Sequence, residues 1–218
     1  QAVHRGRSDV HPAFSRDGRR VYFNYHVPDS EQAFGRDVEI ADVAGGEDGL
    51  VAVAENYAWT SPDGITWSQV ADGTFRYNID DLRGVIAGGP GFVAFGEDAV
   101  LLHAAIWTSP DGYTWTKVPD DPEVFTIDIH AATVGGPGLV AVGSSQEDCE
   151  AVVLTSRDGY SWTRLPPDPS VFGNDPTCGL GGPGEMRIRG VATGGPGLVA
   201  VGSHQERVAV WISPYGEE

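Results

Sequence analysis

The chain has 218 residues, of which 40% are hydrophobic, so a packed core is expected and global disorder is excluded. Its 31 Asp and Glu against 14 Lys and Arg give a formal charge of −17, which repels phosphate backbones and argues against nucleic-acid binding. No apolar run approaches the roughly 20 residues that span a bilayer. No cleavable signal pattern opens the chain, so Gln1 is compatible with a mature N-terminus.

The first 48 residues differ from the rest of the sequence. Residues 19–25 are rich in β-branched and aromatic side chains and follow a Ser-Arg-Asp-Gly turn, which predicts a strand. A second apolar alternation runs through residues 37–43. Whether this segment builds a whole sheet or part of one stays open at this point.

Two motifs then recur in step. The first, Trp/Leu-Thr-Ser-x-Asp-Gly-x-Thr/Ser-Trp, ends at Trp67, Trp115 and Trp162, at a spacing of about 47 residues. The second, Gly-Gly-Pro-Gly-x-Val-Ala-x-Gly, begins at Gly88 and returns twice, with an insertion at 168–186 before its third copy. Weaker copies occupy 49–54 and 211–216. The chain is therefore built from repeats.

Each repeat is predicted to hold four short strands. In the second repeat these are residues 82–87, 92–95, 104–108 and 113–118, separated by Gly- and Pro-rich turns. Four strands recurring at about 45 residues are typical of a β-propeller blade. We predict an all-β fold, a single β-propeller domain over 1–218 with about four to five four-stranded antiparallel blades. Its expected segments are 1–48, 49–81, 82–128, 129–186 and 187–218.

The first motif resembles the Asp box of the sialidase-like, BNR-repeat propellers. Its residues are Ser61, Asp63, Gly64, Thr66 and Trp67; Ser109, Asp111, Gly112, Thr114 and Trp115; and Ser156, Asp158, Gly159, Ser161 and Trp162. The resemblance implies a structural turn between the third and fourth strands, remote from any active site. The carboxylate would accept backbone N–H groups within its own turn, and the tryptophan would pack against its blade.

The N-terminal segment resembles a Tol-system, WD40-like propeller repeat, which also builds four-stranded blades. The last repeat reaches only its third strand, at 209–212, where the others turn into a fourth. An uncovered sheet edge recruits further strands. We therefore predict that residues 19–25 pair beside 209–212, either within one chain, closing the ring, or between chains, in an assembly through blade edges.

The loops after the second and fourth strands are expected on one face of the propeller, which we call the rim. The rim is acidic, and its acids are Asp80, Asp81, Glu97, Asp98, Asp120, Asp121, Glu147, Asp148 and Glu150. Such oxygen ligands could hold Ca²⁺, although no spacing matches a known calcium loop, and a solvated acidic surface is the simpler interpretation. The six histidines show no metal-binding spacing, and we expect no other cofactor.

Cys149 and Cys178 fall in loops of the same rim, so a disulfide between them is predicted; two unrelated buried thiols are the alternative. A disulfide would indicate an oxidising compartment, and hence an extracellular or cell-surface protein.

Three functions are compatible with this sequence. A secreted binding or interaction scaffold for a protein or glycan ligand is favoured, with a structural subunit joined through an incomplete blade as the first alternative. The second alternative is a sialidase-like glycoside hydrolase or a fragment of one. Arginines at Arg76, Arg83, Arg187 and Arg189 could face a central cavity, but no complete catalytic set is found.

Overall fold

The structure is a computed structural model. It describes residues 12–14, 21–23, 40–54, 57–70, 75, 79–98, 101, 103–136, 138–145, 150–166, 168, 187–195, 197–204 and 207–214. Among these residues there is no helix long and apolar enough to cross a membrane.

The described chain forms four antiparallel sheets in sequence order, preceded by a small strand pair. The pair is β1 (Pro12–Phe14) and β2 (Val21–Phe23). The first sheet holds β3 (Asp42–Gly46), β4 (Gly49–Ala54), β5 (Tyr57–Ser61) and β6 (Ser68–Gln69). The second holds β7 (Ile79–Gly88), β8 (Gly91–Asp98), β9 (His103–Ser109) and β10 (Thr116–Lys117). The third holds β11 (Ile127–Gly135), β12 (Gly138–Ser145), β13 (Ala151–Ser156) and β14 (Thr163–Arg164). The fourth holds β15 (Arg187–Gly194), β16 (Gly197–His204) and β17 (Arg207–Pro214).

The predicted all-β architecture is confirmed, and four blades lie within the described residues. Some bounds differ from the expected ones. The first sheet starts at Asp42, because Asp42–Gly46 pairs with Gly49–Ala54 across a tight turn, so its inner strand lies in the segment assigned to 1–48. The fourth strands have two residues each, because the preceding turn extends as far as the tryptophan. A one-turn helix, α1 (Pro122–Phe125), was not predicted.

The prediction for the N-terminal strand needs correction. Val21–Phe23 pairs with Pro12–Phe14, in antiparallel register, and not with the last sheet. Among the described residues, β17 pairs with β16 alone, so Val21–Phe23 does not close the ring within one chain, while residues 19, 20, 24 and 25 lie outside the described residues. Pairing between chains stays a prediction. A local pairing closes a short loop, whereas pairing with β17 would close a loop of most of the chain at a larger entropic cost.

Successive sheets pack face to face in chain order. We call the face that meets the next sheet the leading face and the face that meets the preceding sheet the trailing face. Leading faces carry the residue pairs Val51 and Val53, Val93 and Phe95, and Val140 and Val142. They meet trailing faces that carry Phe92 and Ala94, Leu139 and Ala141, and Leu198 and Ala200. The core is thus three similar layers, each between two blades.

The inner strands of the last three sheets share an irregularity. The pairing register shifts at the same relative position in β7, β11 and β15, so Arg83, His130 and Arg189 are the extra residues of three equivalent β-bulges; β7 has a further shift between Ile79 and Asp81. A bulge bends its strand and re-aims the extra side chain. The facing residue of the second strand is the last glycine of the repeated motif, Gly96, Gly143 or Gly202. A Cβ atom there would overlap the carbonyl oxygen of Asp81, Asp128 or Arg187.

This close approach predicts a position-dependent cost for alanine. Gly143→Ala should lower the free energy of unfolding by about 1–3 kcal/mol, because the methyl group overlaps the Asp128 backbone. Gly194→Ala is the matched control, since nothing lies within 4 Å of a Cβ placed there. Both substitutions reduce the conformational entropy of the unfolded chain equally. The difference between their free energies of unfolding in urea therefore measures the cost of the overlap at the bulge. Equal effects of the two variants would contradict this role of Gly143.

Candidate functional site

The three bulges lie on strands that pack against one another. β3 packs against β7, β7 against β11 and β11 against β15, so the first strands of the blades run side by side. Arg83, His130 and Arg189 therefore follow one another along the inside of the sheets. With their neighbours they form what we call the inner cluster: Asp81, Arg83, Glu97, Asp128, His130, Ser144, Arg187 and Arg189.

Arg83 is surrounded by carboxylates. Its guanidinium lies 2.7 Å from Glu97, 3.3 Å from Asp81 and 3.5 Å from Asp128. Asp128 belongs to the third sheet, so the network joins two blades. Because three acids share one cation, Arg83 is held by the protein and is not available to pair with a substrate carboxylate.

His130 lies between the arginines of the cluster. Its Nε2 is 3.1 Å from the Ser144 hydroxyl oxygen. Burial lowers the pKa of His130, and the positive charges of Arg189, Arg83 and Arg187 lower it further against the opposing effect of Asp128. A histidine whose pKa falls below its ordinary value of 6.5 is neutral at pH 7 and can both donate and accept a hydrogen bond.

Arg189 is the exposed arginine of the cluster, whereas Arg83 and Arg187 are partly buried. None of the ion pairs formed among the described residues involves it. A guanidinium offers a planar set of N–H donors that matches a carboxylate in two parallel hydrogen bonds. The cluster therefore carries a bound, neutralised arginine in the second sheet and an accessible one in the fourth.

Part of the acidic rim is neutralised as well. Lys117 pairs with Asp98 and with Asp120, the latter at 2.9 Å. Burial would lower the pKa of Lys117, but the hydrogen bonds and charges of these two carboxylates outweigh it and raise the pKa. No group of three or more His, Cys, Asp or Glu side chains that could hold a metal ion occurs among the described residues. The described part of the rim thus gives no support to the Ca²⁺ site that the acidic residues could have formed.

The three Ser-x-Asp-Gly turns have one geometry. In each, an Asp Oδ1 accepts two backbone N–H groups at 2.7–2.9 Å, and the serine hydroxyl accepts the glycine N–H at 2.8 or 2.9 Å. Each serine donates to the Asp carboxylate in turn. Gly64, Gly112 and Gly159 adopt φ values of 73–78°, the left-handed region that favours glycine. The carboxylates of Asp63, Asp111 and Asp158 are therefore engaged within their own turns.

The tryptophans that end these turns are not equally buried. Each indole donates to the carbonyl of the turn glycine, at 3.3 Å for Trp67, 3.0 Å for Trp115 and 2.9 Å for Trp162. Trp115 is buried, with its ring centroid 5.3 Å from that of Phe75. Trp67 and Trp162 are only partly buried, so the expectation of burial holds fully for Trp115 alone.

Several predicted residues lie outside the described residues. They are Cys149, Cys178, Arg76, Glu147 and Asp148. Of the four arginines considered for a catalytic triad, the structure places Arg83 among acids and brings Arg187 and Arg189 to the neighbourhood of His130. Sequence reasoning had not assigned His130 to a site; its position relative to the repeated glycine, the same as that of Arg83 and Arg189, is the signal that identifies it.

The turn geometry predicts acid sensitivity. Backbone N–H donors hold the pKa of Asp111 below its ordinary value of 3.8, with Thr114 the largest contributor. The folded state therefore binds a proton less readily than the unfolded one, and the stabilisation is present above pH 3.8 and is lost as the pH falls through the lower folded pKa. Asp111→Asn should be less stable than the wild type at pH 6, and the difference should shrink toward pH 2. Denaturant unfolding at a series of pH values measures it; a constant difference would contradict the assignment.

Comparison with known proteins identifies the fold. No family model and no curated protein matches the chain. Among solved structures, it is similar to YCF48 bound to D1 peptide, with 14% identity and a TM-score of 0.50 over 85% of this chain and 51% of that one. It is also similar to the computationally designed Ika4 protein, with 13% identity and a TM-score of 0.45 over 84% of this chain and 94% of that one. The extracellular domain of BT4673 from B. thetaiotaomicron follows, with 14% identity and a TM-score of 0.38 over 89% of this chain and 30% of that one.

The chain thus spans about half the length of the YCF48 chain and less than a third of the BT4673 domain. At such low identity the likeness concerns the fold alone. Together with the four packed antiparallel sheets, it shows a β-propeller.

Proposed function

We propose that this protein is a binding scaffold that takes a peptide segment of a protein partner at its inner cluster. The observation that carries the proposal is the set of three equivalent bulges, which aim Arg83, His130 and Arg189 from consecutive inner strands. Side chains fixed on strands are held more precisely than side chains on loops, which favours a preorganised recognition site.

The charges of the cluster suit a peptide. Acids gather around Arg83 in the second sheet, whereas Arg187 and Arg189 lie on the fourth, so the site presents both signs of charge. A peptide also carries both signs, in its termini and side chains, and complementary charges fix the orientation of a ligand. YCF48, a protein of the same fold, was solved with a bound peptide.

We further propose that the repeated turns are Asp boxes and that 1–218 forms one propeller domain. The identical hydrogen bonds of the three turns support this, since every Asp carboxylate serves its own loop. In this interpretation the turns maintain the blades, while recognition belongs to the inner strands.

We propose an extracellular location because the predicted disulfide between Cys149 and Cys178 would form in an oxidising compartment. Proteolysis of the native, non-reduced protein followed by mass mapping should find these two cysteines in one linked peptide pair, absent after reduction. A native protein in which both thiols react with an alkylating reagent would overturn the disulfide, and with it this argument for location.

Binding can be tested at the accessible arginine. Arg189→Ala should weaken binding of selected peptides by about tenfold or more, because it removes a charge-assisted bidentate donor worth about 1.5–3 kcal/mol. The probes are peptides selected from a random display library with free C-terminal carboxylates, and the affinity is measured by fluorescence anisotropy. Peptides amidated at the C-terminus show whether the terminal carboxylate is the group that is recognised.

Arg207→Ala is the matched control, since Arg207 is also an exposed arginine but lies on β17, away from the inner strands. It should leave the affinity unchanged. Equal losses for Arg189→Ala and Arg207→Ala would indicate nonspecific charge attraction. Selection of no peptide, together with saturable binding on a glycan array, would replace the peptide with a glycan as the ligand.

A further inference from the structure

The fourth sheet has an apolar face that is open to solvent. Its exposed side chains are Val201, Val208, Val210 and Ile212, of which Val208 is 89% exposed and Val210 58%. Val208, Val210 and Ile212 alternate along β17, so they point to one side of the sheet, and Val201 pairs with Val210 on the neighbouring strand. Contiguous exposed apolar surface of this kind marks an interaction site or an aggregation hazard.

The corresponding face of the third sheet is buried. By register, Val201, Val208 and Val210 correspond to Val142, Ala151 and Val153 of the third sheet. Those residues pack against the trailing face of the fourth sheet, with Leu198, Ala200 and Trp211 on the other side of the contact. The exposed surface is therefore a leading face without the trailing face that covers the other three.

The first sheet presents the missing counterpart. Its trailing face carries Leu50, Ala52 and Trp59, at the positions held by Leu198, Ala200 and Trp211 in the fourth sheet. Val43, which pairs with Ala52, lies on the same face and is 50% exposed; Leu50 and Trp59 are partly exposed, and Ala52 between them is buried. One molecule thus carries both halves of an interface that it already forms three times between its own blades.

The two halves do not meet within one molecule. The exposure of Val208, Val210 and Ile212 shows that the first sheet of the same chain does not cover them. We propose that a second copy of this chain does: the leading face of the fourth sheet of one copy packs against the trailing face of the first sheet of the next. The contact is head-to-tail: each copy uses its fourth sheet to contact one neighbouring copy and its first sheet to contact another.

The formal charge of −17 opposes association of copies, so the contact should strengthen as salt screens the repulsion. Light scattering coupled to size exclusion, over a range of protein concentrations, should show a mass that rises from one copy to two or more. A wild-type protein that remains monomeric at high concentration and high salt would overturn the proposal.

Variants identify the two surfaces. Val210→Glu places a charge in the leading face and Val43→Glu places one in the trailing face, and each should weaken self-association by about a hundredfold, since a buried unpaired charge is costly. Ile65→Glu is the matched control, because Ile65 is also 58% exposed but lies on a turn outside both faces. It should associate like the wild type, and thermal unfolding should show all three variants folded.

Mixing the two variants tests the geometry. Val43→Glu retains an intact fourth-sheet face, and Val210→Glu retains an intact first-sheet face. An equimolar mixture should therefore form a dimer with one contact and nothing larger. A mixture that stays monomeric would exclude a head-to-tail contact, because that contact needs only the one intact surface that each variant retains. Under a symmetric contact between two fourth-sheet faces, Val43→Glu alone would associate as tightly as the wild type. Association of Val210→Glu alone, as tight as the wild type, would also overturn the proposal.

Discussion

The fold depends on sheets that are apolar on both faces. The second strand of each blade carries a run such as Leu-Val-Ala-Val, and its successive side chains point to opposite faces of the sheet. Both faces of the sheet are therefore apolar, as in sheets that are buried on both sides. A blade therefore buries both of its faces only when it has a neighbour on each side, as the second and third sheets do. Stability in such arrays comes from contacts between neighbours, which is why one pair of complementary faces recurs along the chain.

Local chemistry explains what could be predicted from the sequence. The turn at Asp111 needs only its own residues, because serine, aspartate and glycine bond one another across a few positions. The strands of the repeats follow equally from apolar runs bounded by such turns. The number and order of the strands in each repeat could therefore be predicted. The start of the fourth strand could not, because the residues of the preceding turn alternate between apolar and polar side chains as a strand does.

Contacts between strands explain what could not be predicted. The last glycine of the motif resembles the end of a strand, and only the register shows that Gly143 lies opposite the Asp128 carbonyl. The role of His130 depends on this bulge, and so it was not assigned to a site. Residues 21–23 have the composition of a strand, but composition does not say which edge a strand joins. A nearby partner was available at Pro12–Phe14.

The uneven cover of the blades has a consequence for local opening. The second and third sheets bury both faces, whereas the fourth buries its trailing face and exposes the other. In an array held by neighbour contacts, the blade with one contact has a lower free energy of opening than the blades with two. Backbone amides of β16 and β17 should then exchange hydrogen faster than those of β8 and β12. The first sheet, whose trailing face is partly exposed, also has a single neighbour, so the array should come apart from its ends and not from its middle.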